Sequence, residues 1–97
     1  MWRVRVHPLV VREDLGRLTA KDRRIILKTV YKKLALAPEK YGKKLHGGLR
    51  EFWKLKVSDY RVIYSIRKQE VLVLVLKIGL RRDDEVYRQM LLRMKRV

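Results

Sequence analysis

Three cations in one short stretch stand at spacings that suit chemistry on an anion. In Phe52–Tyr64, which runs FWKLKVSDYRVIY, Lys54 and Lys56 are separated by one residue and Arg61 follows shortly after. Two alternating runs flank Ser58-Asp59, the pattern of a tight β-hairpin. Side chains alternate faces along a strand, so Trp53, Leu55 and Val57 share one face and Lys54 and Lys56 the other. With Ser58 and Asp59 as the turn residues, Val57 pairs with Tyr60, Lys56 with Arg61, Leu55 with Val62, and Trp53 with Tyr64. One face of the hairpin is then an apolar ladder. The other gathers Lys54, Lys56 and Arg61. Like charges facing each other on a sheet cost roughly 0.2–1 kcal/mol per pair. A solvated lysine face is one reading of the cluster; an anion site built on rigid strands, most simply for a phosphate, is the other.

Such groups suit one reaction class. RNA is cut without water or metal when its own 2′-hydroxyl attacks the adjacent phosphorus in line. That step needs a base for the hydroxyl, cations for the crowded phosphorane and an acid for the leaving 5′-oxygen. Neighbouring positive charge depresses the pKa of a lysine, so Lys54 or Lys56, beside Arg61, could act as the base. Arginine is too basic to donate a proton easily near neutrality and is assigned to charge stabilisation. Other chemistries lack their parts. His7 and His46 are isolated, with no grouping at metal-ligand spacing. Without cysteine there is no thiolate nucleophile, disulfide or Cys-based metal site. Neither a metal nor a cofactor is expected.

The 97 residues are expected to form one compact domain, residues 1–97, with a modest core. Lys and Arg number 26 against 10 acids, a formal charge of +16. So large an excess points to a polyanionic partner, nucleic acid first. There is no long apolar run and no signal-peptide pattern, so a soluble, cytoplasmic protein without a membrane partner is expected.

The elements that must position the cations follow in order. Trp2–Val6 alternates as a first strand, ended by His7-Pro8. Leu9–Leu18 is predicted as a short helix burying Val11, Leu15 and Leu18. Thr19 is placed as N-cap, with Asp22 in the capping-box position, of a helix that Pro38 stops. Ile26, Val30 and Leu34 form its stripe, widened by Ile25, Leu27 and Leu36. Lys21, Arg23, Arg24, Lys28, Lys32 and Lys33 fill its other face, a solvated surface that also suits an RNA backbone. Residues 39–50 are a loop or edge segment, with Gly42 and a turn at Gly47-Gly48. Val71–Ile78 is a nearly continuous apolar run, the pattern of a central strand buried on both faces. Lys68-Gln69 is the predicted turn before it, with Arg67 opposite Glu70, and Gly79 ends the sheet. Asp83-Asp84-Glu85 opens a last helix that closes with Arg93, Lys95 and Arg96, charges suited to the helix dipole. Tyr87, Met90 or Leu91, and Met94 share a face of that helix. The fold class is α+β in the order β-α-α-β-β-β-α. Two helices pack on one face of a mainly antiparallel sheet, and the first strand lies beside the central fourth.

Two stretches carry a family resemblance. The run Leu45–Tyr64, LHGGLREFWKLKVSDYRVIY, and the later Ile78-Gly79-Leu80-Arg81-Arg82 followed by Glu85-Val86-Tyr87, resemble the RelE/ParE toxin superfamily over nearly the whole chain. In its RelE branch, messenger RNA is cut in the ribosomal A site, and a partner antitoxin neutralises the toxin. The family's active residues are two lysines one residue apart, the arginine of a Tyr-Arg motif, an arginine after the fourth strand and a tyrosine near the C-terminus. Carried over, these look like Lys54, Lys56, Arg61, Arg81 and Tyr87, with Arg82 as the alternative phosphate contact to Arg81. The resemblance implies further RNA contacts at Lys43, Lys44, Arg50 and Arg82, and an antitoxin docking stripe at Met90, Leu91 and Met94. The ParE branch shares the fold but poisons DNA gyrase. Retention of all five residues favours RelE-type cleavage; a gyrase poison or a non-catalytic nucleic-acid-binding homologue are the competing readings.

Overall fold

The hairpin forms as the alternation dictates. A computed structural model describes residues 1–46, 51–81 and 85–95. In it β3 (Trp53–Val57) and β4 (Tyr60–Arg67) pair antiparallel, with Val57 opposite Tyr60, Lys56 opposite Arg61, Leu55 opposite Val62 and Trp53 opposite Tyr64. Ser58 takes the left-handed φ of 54° that a two-residue hairpin turn demands. β5 (Leu72–Leu80) pairs antiparallel with β4, and β1 (Arg3–Val6) pairs parallel with β5. A two-residue strand, β2 (Lys43–Lys44), adds to the free edge of β3. The five-stranded order is β1-β5-β4-β3-β2. The first strand thus sits beside the apolar strand β5 as expected, and the predicted edge segment supplies a fifth strand at the opposite edge, which leaves β4 in the middle.

Both sheet faces are covered. On one, Leu55, Val57, Val62, Tyr64, Val73, Val75 and Ile78 meet Ile26, Val30 and Leu34 of α1 (Ala20–Leu36). Thr19 caps α1 by accepting from the Asp22 amide at 3.1 Å. The Asp22 carboxylate turns to the Tyr60 hydroxyl instead of closing a capping box. Ile25 and Leu36, placed on the apolar stripe from sequence, are exposed, because the helix meets the sheet along a narrower line. Pro38 ends α1 and opens the single-turn α2 (Pro38–Tyr41). The Tyr64 hydroxyl donates to the Pro38 carbonyl at 2.6 Å, and burial raises its pKa. A side chain at Gly42 would collide with that tyrosine, so glycine is required where the chain enters β2. On the other face, Ile63 and Leu76 pack with Leu45, Phe52, and Val86 and Met90 of α3 (Glu85–Lys95).

Three expectations are corrected. Leu9–Leu18 is helical as far as Arg17, but as a π-helical stretch, Val10–Asp14, running into a 3-10 turn, Leu15–Arg17, and it buries Val10 while Val11 is exposed. Arg67 pairs with Leu72 rather than Glu70, because a 3-10 turn, Lys68–Glu70, and a left-handed Val71 (φ 50°) lengthen the connection. β5 runs to Leu80, past Gly79, with one extra residue at Leu76, since Tyr64 faces Val75 while Ile63 faces Lys77. The Gly47-Gly48 turn and the Asp83-Asp84 helix start lie outside the described residues.

The bulge and the early end of β1 leave the β5 edge to be completed by side chains. Asp14 does so: its carboxylate accepts from the Ile78 amide at 2.9 Å, the Lys77 ammonium at 2.9 Å and both Arg93 terminal nitrogens at 2.7 and 2.8 Å. Arg93 also donates to the Leu76 carbonyl at 3.0 Å and to Glu13 at 3.3 Å. Asp14, Lys77 and Arg93 are 2, 4 and 5% exposed. Burial opposes the Asp14 charge, but Arg93, the Ile78 amide and Lys77 together outweigh it and hold the carboxyl below its ordinary 3.8. A depressed carboxyl stabilises the fold above its unfolded pKa, and the contribution fades as pH falls through the folded value. Asp14→Asn should therefore lose about 3–5 kcal/mol at pH 7, where two buried cations lose their counter-charge. That deficit should shrink below pH 3.8. Urea titrations of both proteins between pH 7 and 2 measure the difference.

Candidate functional site

The cations sit on the sheet face shared with α3, clear of the apolar ladder. The β3–β4 register puts Lys56 directly opposite Arg61, and Lys54 one rung along, opposite Ile63. Lys54 and Arg61 are half-buried and Lys56 is exposed. The short strand β2 then places Lys43 opposite Lys54 on the same face. Its neighbour Lys44 pairs with Trp53 and so faces the other side. Of the two, only Lys43 joins the cluster, a distinction the sequence could not make without the β2 register.

Arg61 faces Gly79 across β4 and β5. A Cβ at Gly79 would come within 3.1 Å of Val86, so the missing side chain lets the first turn of α3 lie close on β5. Tyr87, next to Val86, thereby presents its ring to Arg61, with the guanidinium carbon 5.3 Å from the ring centroid. Arg81 leaves the end of β5 with its amide donating to the Asp59 carbonyl at 3.0 Å, which ties it to the hairpin turn. The five residues carried over from the resemblance therefore converge on one face, and Lys43 is added to them. Arg50 and Arg82 lie outside the described residues. Met90 is fully buried against the sheet, whereas Leu91, Leu92 and Met94 are exposed.

The electrostatics follow from this crowding. The Lys54 pKa is lowered, first by burial and then by the positive fields of Arg61, Lys56, Lys43 and Arg81. An amine so placed gives up its proton more readily than a free lysine. The histidines stay apart. His7 Nδ1 accepts from the Leu9 amide at 3.0 Å and shapes the turn after β1, and His46 is exposed. Among the described residues no group of His, Cys, Asp or Glu could hold a metal ion, and no helix is long and apolar enough to cross a membrane.

A family model for the ParE toxin of type II toxin–antitoxin systems, parDE, matches residues 4–85. The chain belongs to the RelE/ParE toxin superfamily. It is a toxin of a type II toxin–antitoxin system. Solved structures share its fold. The toxin–antitoxin complex RelBE2 from Mycobacterium tuberculosis aligns with a TM-score of 0.77 at 24% identity, over 82% of this chain and 98% of the other. The isolated RelE toxin of E. coli aligns with a TM-score of 0.67 at 23% identity, over 97 and 99%. The archaeal RelE–RelB complex from Pyrococcus horikoshii OT3 aligns with a TM-score of 0.60 at 26% identity, over 84 and 97%. No curated protein sequence matches the chain.

Arg61→Gln removes the strongest positive field on Lys54 and should shift its titration to higher pH. Lys43→Gln should do so by less, and Lys44→Gln not at all. NMR titration of the Lys54 side chain in the free protein reads these shifts directly.

Proposed function

We propose that this toxin is a messenger RNA endonuclease that works on the ribosome by attack of the substrate's 2′-hydroxyl on the neighbouring phosphate. The observation that carries the reading is Lys54, half-buried among Arg61, Lys56, Lys43 and Arg81, with Tyr87 against Arg61. Lys54 is the better candidate for the base because it is the less exposed of the two hairpin lysines and feels the other cations. Arg61 and Arg81 are assigned to the charge that develops on the phosphorane, which fixed cations in a partly desolvated site stabilise more strongly than water does. Tyr87 is assigned to stacking or hydrogen bonding beside the scissile nucleotide. The 2′-hydroxyl makes the reaction specific to RNA. Bringing nucleophile and phosphorus into line is worth about 7–11 kcal/mol in favourable cases. The ribosome supplies that alignment, so naked RNA should be a poor substrate.

A cognate antitoxin is the expected partner, as in the toxin–antitoxin complexes that share the fold. With Met90 buried, its docking stripe narrows to Leu91 and Met94, with exposed Leu92 beside them. A segment combining apolar and acidic residues suits both that stripe and a chain of net charge +16.

The matching family model favours a second reading, a ParE-type poison of DNA gyrase. Adding the toxin to programmed ribosomes and mapping messenger 5′ ends separates the two. Cuts within the A-site codon are expected. Intact messenger with inhibited gyrase would establish the second reading. Arg61→Ala and Arg81→Ala should each slow cleavage by a factor of about 10²–10³, as for loss of one transition-state donor, with weaker effects on ribosome binding.

A further inference from the structure

Helix α3 is fastened to the body in two different ways. Through its first two turns, Val86 and Met90 press into the apolar cluster around Ile63 and Leu76. Apolar packing of this kind sets which face of the helix points inward but is non-directional, and so holds rotation and slide less sharply than a directional contact does. In its last turn, Arg93 grips both oxygens of Asp14, the Leu76 carbonyl and Glu13. A bidentate guanidinium–carboxylate pair is directional. Asp14 in turn cannot swing, because the Ile78 amide and Lys77 hold it from the other side. The cluster has no part in the cationic face. Apolar side chains in place of the whole cluster would change stability little, since desolvation of buried ions offsets most of their attraction, although deleting one member leaves the others unpaired.

What the cluster does fix is geometry. Tyr87 lies about 100° round the helix from Val86, at the margin of the buried face, so a small rotation that leaves Val86 and Met90 buried already carries its ring off Arg61. We infer that Arg93 is a positioning residue. Its lock on Asp14 and on the bulge carbonyl of Leu76 sets the rotation of α3 and so keeps Tyr87 over Arg61. The consequence for catalysis rests on the proposed RNA-cleaving function. The placement of Tyr87 does not, and it can be read in the free protein.

The test uses two substitutions at Arg93. Arg93→Lys keeps the charge but loses the two-point grip; Arg93→Met keeps the bulk and loses both. In the wild-type protein the Arg61 side-chain NMR signals should carry an upfield ring-current shift, which Tyr87→Leu abolishes. Both Arg93 variants should lose that shift while the amide signals of the sheet stay in place. A folded Arg93 variant that keeps it overturns the inference. Should Arg93→Met not fold, Arg93→Lys decides. Should neither fold, a urea series on the wild-type protein decides. There the Arg61 shift must vanish with the Arg93 side-chain signals, before the sheet unfolds, and its survival past their loss overturns the inference.

On ribosomes, Arg93→Lys should lower kcat by up to about 10²-fold, as for a small misplacement of a reacting group, with KM little changed. In a Tyr87→Leu background it should cost nothing more. Unchanged kcat in an active protein that has lost the ring-current shift would overturn the catalytic role. If the wild-type toxin cuts no RNA, the proposed function fails on its own, and the ring-current result still decides whether Arg93 positions Tyr87.

Discussion

Like charge crowded onto one sheet face is the constraint around which this fold is arranged. Lys56 faces Arg61 directly, Lys43 faces Lys54, and Arg81 lies close enough to add to the field on Lys54. Each opposed pair costs roughly 0.2–1 kcal/mol. The reverse side of the same strands offsets that cost. Leu55, Val57, Val62 and Tyr64 are buried against α1 and its neighbours, and burial of a large apolar side chain contributes about 1.5–3 kcal/mol. Apolar burial on the reverse side outweighs the repulsion, and the cations are held in place before any anion arrives. If the proposed RNA substrate binds here, part of its binding energy is relief of this repulsion.

The second requirement is that residues from outside the hairpin reach the same face. Gly79 allows α3 to lie close, the bulge at Leu76 shifts the side-chain alternation along β5, and Asp14 closes the edge that β1 leaves open. The bulge has a double effect. It keeps Val75 and Ile78 on the α1 side, although three positions separate them, and it frees the Leu76 carbonyl for Arg93. Tyr87 thus depends on a chain of contacts that begins at the N-terminal turn and passes through a buried carboxylate. On that inference the buried charges set the rotation of α3 more sharply than apolar residues filling the same space would.

The parts legible in the sequence were those where a local rule fixes the geometry. A two-residue turn at Ser58-Asp59 sets the parity of both hairpin strands, and the cluster of Lys54, Lys56 and Arg61 followed from it. The Thr19 cap and the Ile26, Val30 and Leu34 stripe were equally local. Parity was lost at Leu76, because nothing in a continuous apolar run marks the extra residue. Lys43 and Lys44 were indistinguishable until β2 acquired a partner. Arg93 suited the helix dipole, and Lys77 stood within a nearly continuous apolar run. Only a tertiary contact with Asp14, distant in the chain from both, reveals them as a buried set. The resemblance, not periodicity, brought Arg81 and Tyr87 to the site.

The central claim is that the cationic face promotes attack by the substrate's own 2′-hydroxyl. A messenger carrying a single 2′-deoxy nucleotide at the cut position tests it most directly, in a ribosome assay with the wild-type toxin. The toxin should bind this complex as it binds the all-ribose one and leave the messenger intact, while the all-ribose control is cut. Cleavage of the deoxy messenger at the normal rate would mean that water or another nucleophile attacks, and would contradict the account.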